Sequence, residues 1–191
     1  MCGRYGVTID WKQFAAIFGH TPDSLPDHIK DARMNVRPTQ QVLFVDESFD
    51  SGVMQWGVEL PKRLLINARD DSIPTSRLWR PMAETSRILI AAGGWYEWTG
   101  PKGQRQPHWF TTDDELIAFA GITRGTGDDR QGVIITTEPS EIAGRYHNRM
   151  PAIIKREDFD TWLSGDLEDA LSMLGPYEGS IEIEDMAVGS V

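Results

Sequence analysis

The sequence contains a single cysteine, Cys2, among 191 residues. One cysteine excludes an intramolecular disulfide and any zinc site built from several thiolates. The histidines and carboxylates form no recognisable ligand spacing, so we expect no bound metal. No run of about 18 apolar residues is present, and the first residues lack the basic and apolar regions of a signal peptide. We therefore expect a cytoplasmic protein that has no transmembrane helix.

Positive charge is also scarce, because 19 basic residues stand against 29 acidic ones, for a net charge of −10. The excess lies in residues 157–191, which hold ten acidic residues and no lysine or arginine. Residues 61–110, by contrast, hold eight basic and four acidic residues. The net charge thus does not exclude a nucleic-acid partner. The acidic C-terminal stretch has two interpretations: a solvated surface, or a segment beside a DNA groove that repels non-specific strands.

The spacing of apolar residues predicts many short strands and a few helices. Helical spacing occurs over residues 11–18, and residues 20–40 are a predicted loop rich in proline and aspartate. Predicted strands are residues 42–45, 53–58, 64–68, 88–98, 109–112, 116–122 and 133–137. Predicted short helices are residues 140–147, 157–163 and 167–174. We expect one α+β domain over residues 1–191, with a mostly antiparallel sheet that curls towards a barrel.

Cys2 is a candidate nucleophile because of its position next to the initiator Met1. Removal of Met1 would give Cys2 a free α-amine beside its thiol. Such an aminothiol can condense with an aldehyde to an imine and then close a thiazolidine ring. It can also act as an N-terminal nucleophile in acyl transfer. The alternative is an ordinary small residue near the start of the chain.

Two further residues are candidates for acid–base chemistry. Glu97 lies between aromatic residues in Gly-Gly-Trp-Tyr-Glu-Trp, which should desolvate it and raise its pKa. The alternative is a glutamate on an edge strand that points to water. His147 lies in a loop next to Arg149 and is a candidate proton shuttle, although a lone histidine is often structural.

Asn67 and Arg69 are two residues apart in a predicted strand, so they share one face of it. An amide and a guanidinium on one face suit a phosphate or sugar oxygen, and Arg77 and Arg80 follow in a loop. The alternative is a solvated face on which Arg69 forms an ion pair with Asp70 or Asp71.

An ordered set of motifs over residues 2–163 resembles the SRAP family, the SOS-response-associated peptidase-like proteins that shield abasic sites in DNA. Each motif alone is weak, but the set in this order is specific. The motifs are Met-Cys-Gly-Arg-Tyr at 1–5, Asn-Val-Arg-Pro-Thr at 35–39, Trp-Gly at 56–57, Ile-Asn-Ala-Arg at 66–69, Gly-Trp-Tyr-Glu-Trp at 94–98, Phe-Ala-Gly-Ile at 119–122, Ile-Ile-Thr-Thr-Glu at 134–138 and His-Asn-Arg-Met-Pro at 147–151.

The resemblance implies an SRAP-like fold and an enzyme that crosslinks itself to single-stranded DNA. In that mechanism Cys2 attacks the aldehyde of an abasic site, Glu97 manages protons, and His147 helps to open the sugar and to reverse the crosslink. Asn67 holds the abasic residue. The positions expected to meet phosphates are Arg4, Arg69, Arg77 and Arg149. The chemistry needs no cofactor, and the expected state is a monomer that is nucleoid-associated when bound to DNA.

Two other functions stay open at this point. One is a cysteine peptidase, limited to processing its own N-terminus. The other is a non-catalytic binder of single strands that uses arginine and exposed tryptophan. Weak lyase activity through the imine is compatible with the crosslinking mechanism.

Overall fold

The computed structural model describes residues 2–7, 11–18, 33–114 and 116–191. Met1 and residues 20–32 of the predicted loop lie outside these ranges. Within them, no helix has the length and apolar character needed to cross a membrane.

Strands dominate the described residues, and the helices are short. The strands are β1 (Tyr5–Val7), β2 (Arg33–Val36), β3 (Gln41–Val45), β4 (Ser51–Trp56), β5 (Val58–Leu60), β6 (Arg63–Leu65), β7 (Asn67–Arg69), β8 (Arg87–Ala92), β9 (Gly94–Thr99), β10 (Gln106–Thr112), β11 (Ile117–Arg124), β12 (Gln131–Thr137), β13 (Met150–Pro151), β14 (Ile153–Ile154) and β15 (Ile181–Asp185). The α-helices are α1 (Trp11–Phe18), α2 (Trp79–Thr85), α3 (Phe159–Ser164) and α4 (Leu167–Ser172), with 3-10 turns at Asp70–Thr75, Gly127–Asp129, Ala143–Arg145 and Arg156–Asp158.

Five strands close into a barrel. Around the ring, β12 pairs with β4, β4 with β3, β3 with β8, β8 with β11, and β11 again with β12. The β4–β12 pair is parallel and the other four are antiparallel. Closure leaves these strands without exposed edges. The predicted α+β class, with a mostly antiparallel, barrel-like sheet and short helices, is therefore confirmed.

A second, antiparallel sheet has the strand order β15–β10–β9–β1–β2. It packs on the barrel through aromatic residues: the rings of Tyr5 and Trp95 contact Phe119 edge-on, at centroid distances of 5.9 and 6.4 Å. Tyr5 also lies opposite Trp95 in the β1–β9 pairing. The N-terminal segment is thus held against the strand that carries Glu97.

The single strand predicted over residues 88–98 is wrong, because the chain changes sheets at Gly93. All six residues of β8 are buried in the barrel, whereas β9 belongs to the second sheet. A β-carbon on Gly94 would lie 2.3 Å from the carbonyl oxygen of Phe110, so the backbones approach too closely there for any side chain. A continuous apolar run conceals this change because both strands have buried residues.

Other predicted boundaries also shift. Residues 53–58 divide into β4 and β5 at Gly57, whose φ of +119° favours glycine, and residues 64–68 divide into β6 and β7. The predicted helix over residues 140–147 is wrong, since only the 3-10 turn Ala143–Arg145 forms around Gly144, a poor helix former. The predicted loop over residues 20–40 contains β2.

The acidic C-terminal stretch is folded rather than merely a solvated surface. Helix α3 buries Phe159, Trp162 and Leu163 in the apolar core. Strand β15 pairs with β10 over five residues. The stretch therefore contributes to the core and to the second sheet.

Candidate active site

Cys2 is held in the interior by the β1–β9 pairing, which begins three residues later at Tyr5. Its side chain is fully buried, and Sγ lies 3.8 Å from the carbonyl oxygen of Arg4. Burial raises the pKa of the Cys2 thiol well above its usual range, and the negative charge of Glu97 raises it further. The raised pKa means that the buried sulfur is held in its protonated form at neutral pH.

Asn67 connects the barrel to Cys2. Strand β7 lies parallel to β12, with Asn67 opposite Ile134. The side-chain Nδ2 of Asn67 donates a hydrogen bond to the carbonyl oxygen of Cys2 at 3.0 Å. The Oδ1 atom is buried and accepts no hydrogen bond from the described residues. A buried acceptor of this kind favours a bound molecule that offers a donor.

Glu97 is a buried carboxyl group in the middle of β9, with a side chain only 4% exposed. Burial raises the pKa of Glu97 from its ordinary 4.5 to about 7. Because β9 lies between β1 and β10, the alternative of an edge-strand glutamate pointing to water is wrong. A carboxyl group that titrates near neutral pH can both accept and donate a proton.

His147 follows the 3-10 turn Ala143–Arg145 and is half-buried. The backbone N–H of Arg149 donates to its Nδ1 at 3.0 Å. The carbonyl oxygen of Arg149 lies 3.2 Å from the same Nδ1, so the backbone of Arg149 orients the ring through this nitrogen. Burial lowers the pKa of His147, which favours the neutral ring at pH 7.

Glu97 and His147 line one cavity of about 830 Å³, which we call the site cavity. Cys2 immediately precedes Gly3 and Arg4 of the lining, and its buried thiol is close enough to Glu97 for the two groups to interact electrostatically. The residues that line the cavity are Gly3, Arg4, Glu97, Trp98, Lys102, Gly103, Arg105, His147, Val188, Gly189 and Val191. The fold thus brings together Cys2, Asn67, Glu97 and His147, which are far apart in the sequence.

Two of the four predicted phosphate-binding arginines are available to a ligand. Arg4 lines the site cavity, and its Nη1 donates to Asn35 Oδ1 at 2.7 Å. Arg77 is exposed, and its side chain has no partner among the described residues, but it does not line the site cavity.

The other two arginines are paired with carboxylates. Arg69 forms an ion pair with Asp71, as the alternative interpretation expected. Arg149 is buried, with its Nη2 2.5 Å from Asp70 Oδ1 and also donating to the carbonyl oxygen of Thr136. A buried guanidinium with these partners is placed to hold the loop that carries His147. It does not present itself to a phosphate on the surface.

His108 is a site neighbour that sequence reasoning missed. It lies directly opposite Glu97 in the β9–β10 pairing and is 5% exposed. Its Nδ1 lies 2.6 Å from Asp185 Oδ1 and its Nε2 2.7 Å from Thr99 Oγ1. The ring of His108 contacts Tyr146 edge-on at 4.6 Å. Alternation along residues 106–112 would have placed His108 on one face, but only the strand register reveals Glu97 beside it.

The described residues contain no group of three or more His, Cys, Asp or Glu side chains that could hold a metal. The groups that the arrangement offers for chemistry are the amine or thiol of residue 2, the carboxyl group of Glu97 and the imidazole of His147.

Comparison with known families agrees with the motifs. The family described as SOS response associated peptidase (SRAP) matches residues 1–191. The abasic site processing protein YedK of Escherichia coli is 28% identical over 85% of this chain and 79% of its own length. The abasic site processing protein YoqW of Bacillus subtilis is 26% identical over 100% of this chain and 93% of its own.

Solved structures share the fold at lower identity. A protein from Bacteroides thetaiotaomicron superimposes with a TM-score of 0.84 at 20% identity, over 97% of this chain and 92% of its own. A phage-related protein from Bordetella bronchiseptica superimposes with a TM-score of 0.78 at 23% identity, over 97% of this chain and 94% of its own. These likenesses show the fold, and the family match over residues 1–191 shows that the chain belongs to the SOS response associated peptidase (SRAP) family.

Proposed function

We propose that this protein forms a covalent crosslink with abasic sites in single-stranded DNA through Cys2, once Met1 has been removed. The observation that supports the proposal is that Glu97 and His147 line one cavity and that the buried Cys2 thiol interacts electrostatically with Glu97. The relatives named above as abasic site processing proteins supply the class of substrate. Met1 must be removed because the nitrogen of Cys2 is otherwise an amide.

The α-amine attacks first in this mechanism, since burial keeps the Cys2 sulfur protonated. The amine adds to the aldehyde carbon of the ring-opened sugar to give a carbinolamine. Loss of water then gives the imine. The thiol adds to the imine carbon, its proton moves to the nitrogen, and the five-membered thiazolidine closes. The sum is one amine, one thiol and one aldehyde converted to a thiazolidine and one water, with no change in oxidation state.

Glu97 takes the proton from the attacking amine and returns it to the leaving hydroxyl, which its pKa of about 7 permits in both directions. His147, which lines the cavity, donates a proton towards the sugar oxygen during ring opening. The free Oδ1 of Asn67 accepts a hydrogen bond from the amine or from a sugar hydroxyl. In this mechanism Arg4 and Arg77 contact the backbone phosphates of the strand.

The test uses a labelled single strand with one abasic site and protein whose intact mass confirms that Met1 is absent. The wild-type protein should give an adduct that survives denaturation without a reductant. Cys2→Ala keeps the α-amine but lacks the thiol, so its adduct should survive only after borohydride reduction of the imine. A Met1-free wild-type protein that gives no adduct overturns the proposal.

The same preparations separate the two other functions. A self-processing peptidase requires Met1 to be retained in Glu97→Gln and Cys2→Ala, which the intact mass reports. A non-catalytic binder requires equal retention of undamaged and abasic strands, with no covalent product. Strand cleavage on the same gel measures any lyase activity.

A further inference from the structure

The turn that joins β9 to β10 places two cations beside the site cavity. We call residues 100–105, Gly-Pro-Lys-Gly-Gln-Arg, the cationic turn. The two strands stay paired up to Thr99 and Gln106, so the turn follows directly from the strand that carries Glu97. Lys102 and Arg105 both line the site cavity.

The backbone of the cationic turn is well defined, although its side chains are exposed. Gly100 and Gly103 have φ values of +90° and +92°, which glycine adopts without strain. The N–H of Gln104 donates to the carbonyl oxygen of Pro101 at 3.0 Å. A β-carbon on Gly103 would have no neighbour within 4 Å, so this side of the turn is open to a ligand.

Lys102 and Arg105 are unpaired cations, because neither side chain forms an ion pair or hydrogen bond with the described residues. They differ in this from Arg69 and Arg149, whose charges are matched by Asp71 and Asp70. A cation paired with a carboxylate must give up that partner to bind a phosphate, whereas a free cation gives up only water and counterions.

The side chains that line the site cavity include more basic than acidic groups. Among the described residues that line it, Arg4, Lys102 and Arg105 are basic, and Glu97 is the one acidic residue. Glu97 is partly protonated at neutral pH because its pKa is about 7. The wall formed by Val188, Gly189 and Val191 adds no charged side chain.

We propose that Lys102 and Arg105 bind backbone phosphates of the DNA strand whose reacting nucleotide occupies the site cavity. The identity of this ligand rests on the proposed function, whereas its polyanionic character follows from the charges alone. The cationic turn then provides a phosphate contact on the Glu97 side of the cavity. Arg69 and Arg77 do not line this cavity, so their contacts would fall elsewhere on the strand.

The experiment measures the binding of an undamaged fluorescein-labelled oligothymidylate by anisotropy, at several salt concentrations. Each phosphate contact to a single strand contributes about 0.7 to the slope of log Kobs against log[salt]. Lys102→Ala/Arg105→Ala should therefore lower the slope by about 1.4. At 1 M salt, screening makes the affinities of the variant and the wild type equal. A slope difference of about 1.4 then makes the variant about 25-fold weaker in affinity at 0.1 M salt.

The matched control is Lys155→Ala/Arg156→Ala, which removes the same charge from an exposed turn that does not line the cavity. This variant should change the slope by less than half as much. Equal effects of the two double variants, or no effect of the Lys102/Arg105 pair, overturns the proposal. Circular dichroism should be unchanged in both, since none of the four side chains is buried.

The failure of this proposal can be distinguished from the failure of the proposed function. The oligothymidylate has no aldehyde, so its binding does not require any covalent step. If the wild-type protein forms no crosslink but the Lys102/Arg105 variant still lowers the salt slope, only the crosslinking chemistry is contradicted. A crosslink in wild-type protein, with no slope change in the variant, contradicts only the role of the cationic turn.

Discussion

The side-chain amide of Asn67 donates a hydrogen bond to the carbonyl oxygen of Cys2, 65 positions away in the sequence. This contact fixes the peptide that follows the Cys2 α-carbon and leaves Oδ1 of Asn67 facing no donor from the described residues. One amide therefore holds Cys2 and, in the proposed mechanism, also offers an acceptor to the substrate.

Asn67→Ala should slow crosslinking more than it lowers stability. Loss of the donor leaves the Cys2 carbonyl oxygen without this partner and should cost about 1–2 kcal/mol in the free energy of unfolding. Loss of both the orientation of Cys2 and the acceptor for substrate should slow the crosslink about tenfold or more. Urea denaturation and single-turnover gels measure the two effects. A variant that crosslinks at the wild-type rate contradicts the role of Asn67.

Glu97 should make the protein less stable as the pH rises. Its pKa is about 7 in the folded protein and near its ordinary 4.5 after unfolding. Between these values the folded state binds the extra proton, so the free energy of unfolding falls with increasing pH, by up to about 3 kcal/mol.

Glu97→Gln should remove this pH dependence. Denaturation at pH 4.5 and at pH 8 gives the free energy of unfolding of both proteins. The variant should exceed the wild type by more at pH 8 than at pH 4.5, because only the wild type then carries a buried negative charge. The variant should also lose the crosslink, since an amide cannot transfer the proton. A wild-type stability that rises from pH 5 to pH 8 with the same slope in both proteins would contradict the raised pKa.

The chemistry of the site was accessible from the sequence, but its geometry was not. Cys2, Glu97, His147 and Asn67 stand in motifs that resemble the family. The pairing of Cys2 with Asn67, and of Glu97 with His108, depends on which strands become neighbours. Strand register is decided by contacts between distant segments, which local patterns do not encode.

The fold was predicted in class but not in detail, for a similar reason. The abundance of short strands predicts a sheet that curls towards a barrel, yet the change of sheet at Gly93 lies inside one apolar run. Strand β15 was not predicted from the sequence. Residues 181–185 are Ile-Glu-Ile-Glu-Asp, and they lie in a stretch whose negative charge favoured a solvated surface. Pairing with β10 overrides that charge, since Glu182 and Glu184 are exposed and Asp185 contacts the buried His108.

Arg149 and Arg77 should respond differently to substitution, although both were expected to bind phosphates. Arg149→Met removes the partner of Asp70, whose side chain is 18% exposed, and should destabilise the protein by about 3 kcal/mol or more. Arg77→Met removes an exposed, unpaired cation and should change stability by less than about 0.5 kcal/mol.

DNA binding separates the two arginines further. If Arg77 contacts a phosphate, Arg77→Met should reduce the salt slope for binding an undamaged strand by about 0.7. Arg149→Lys should largely retain folding through a single contact with Asp70 and leave the salt slope unchanged. An unaltered stability in Arg149→Met would contradict its structural role and restore the phosphate interpretation.

His108 should anchor the segment that forms the far wall of the site cavity. Its contact with Asp185 joins β10 to the end of β15, and the next residue, Met186, donates its N–H to the carbonyl oxygen of Pro107 at 3.0 Å. His108→Phe keeps the edge-on contact with Tyr146 but breaks both hydrogen bonds of the ring. Because Asp185 is largely exposed and water can solvate it, the expected loss is about 1–2 kcal/mol.

A double-mutant cycle with Asp185→Ala isolates this contact. The coupling between His108→Phe and Asp185→Ala should be about 1 kcal/mol, because either change alone already breaks the bond. In both single variants the amide of Met186 should exchange with deuterium faster than in the wild type, while amides of the barrel strand β8 should not. Additive energies together with unchanged exchange at Met186 would show that the wall is held by backbone pairing alone.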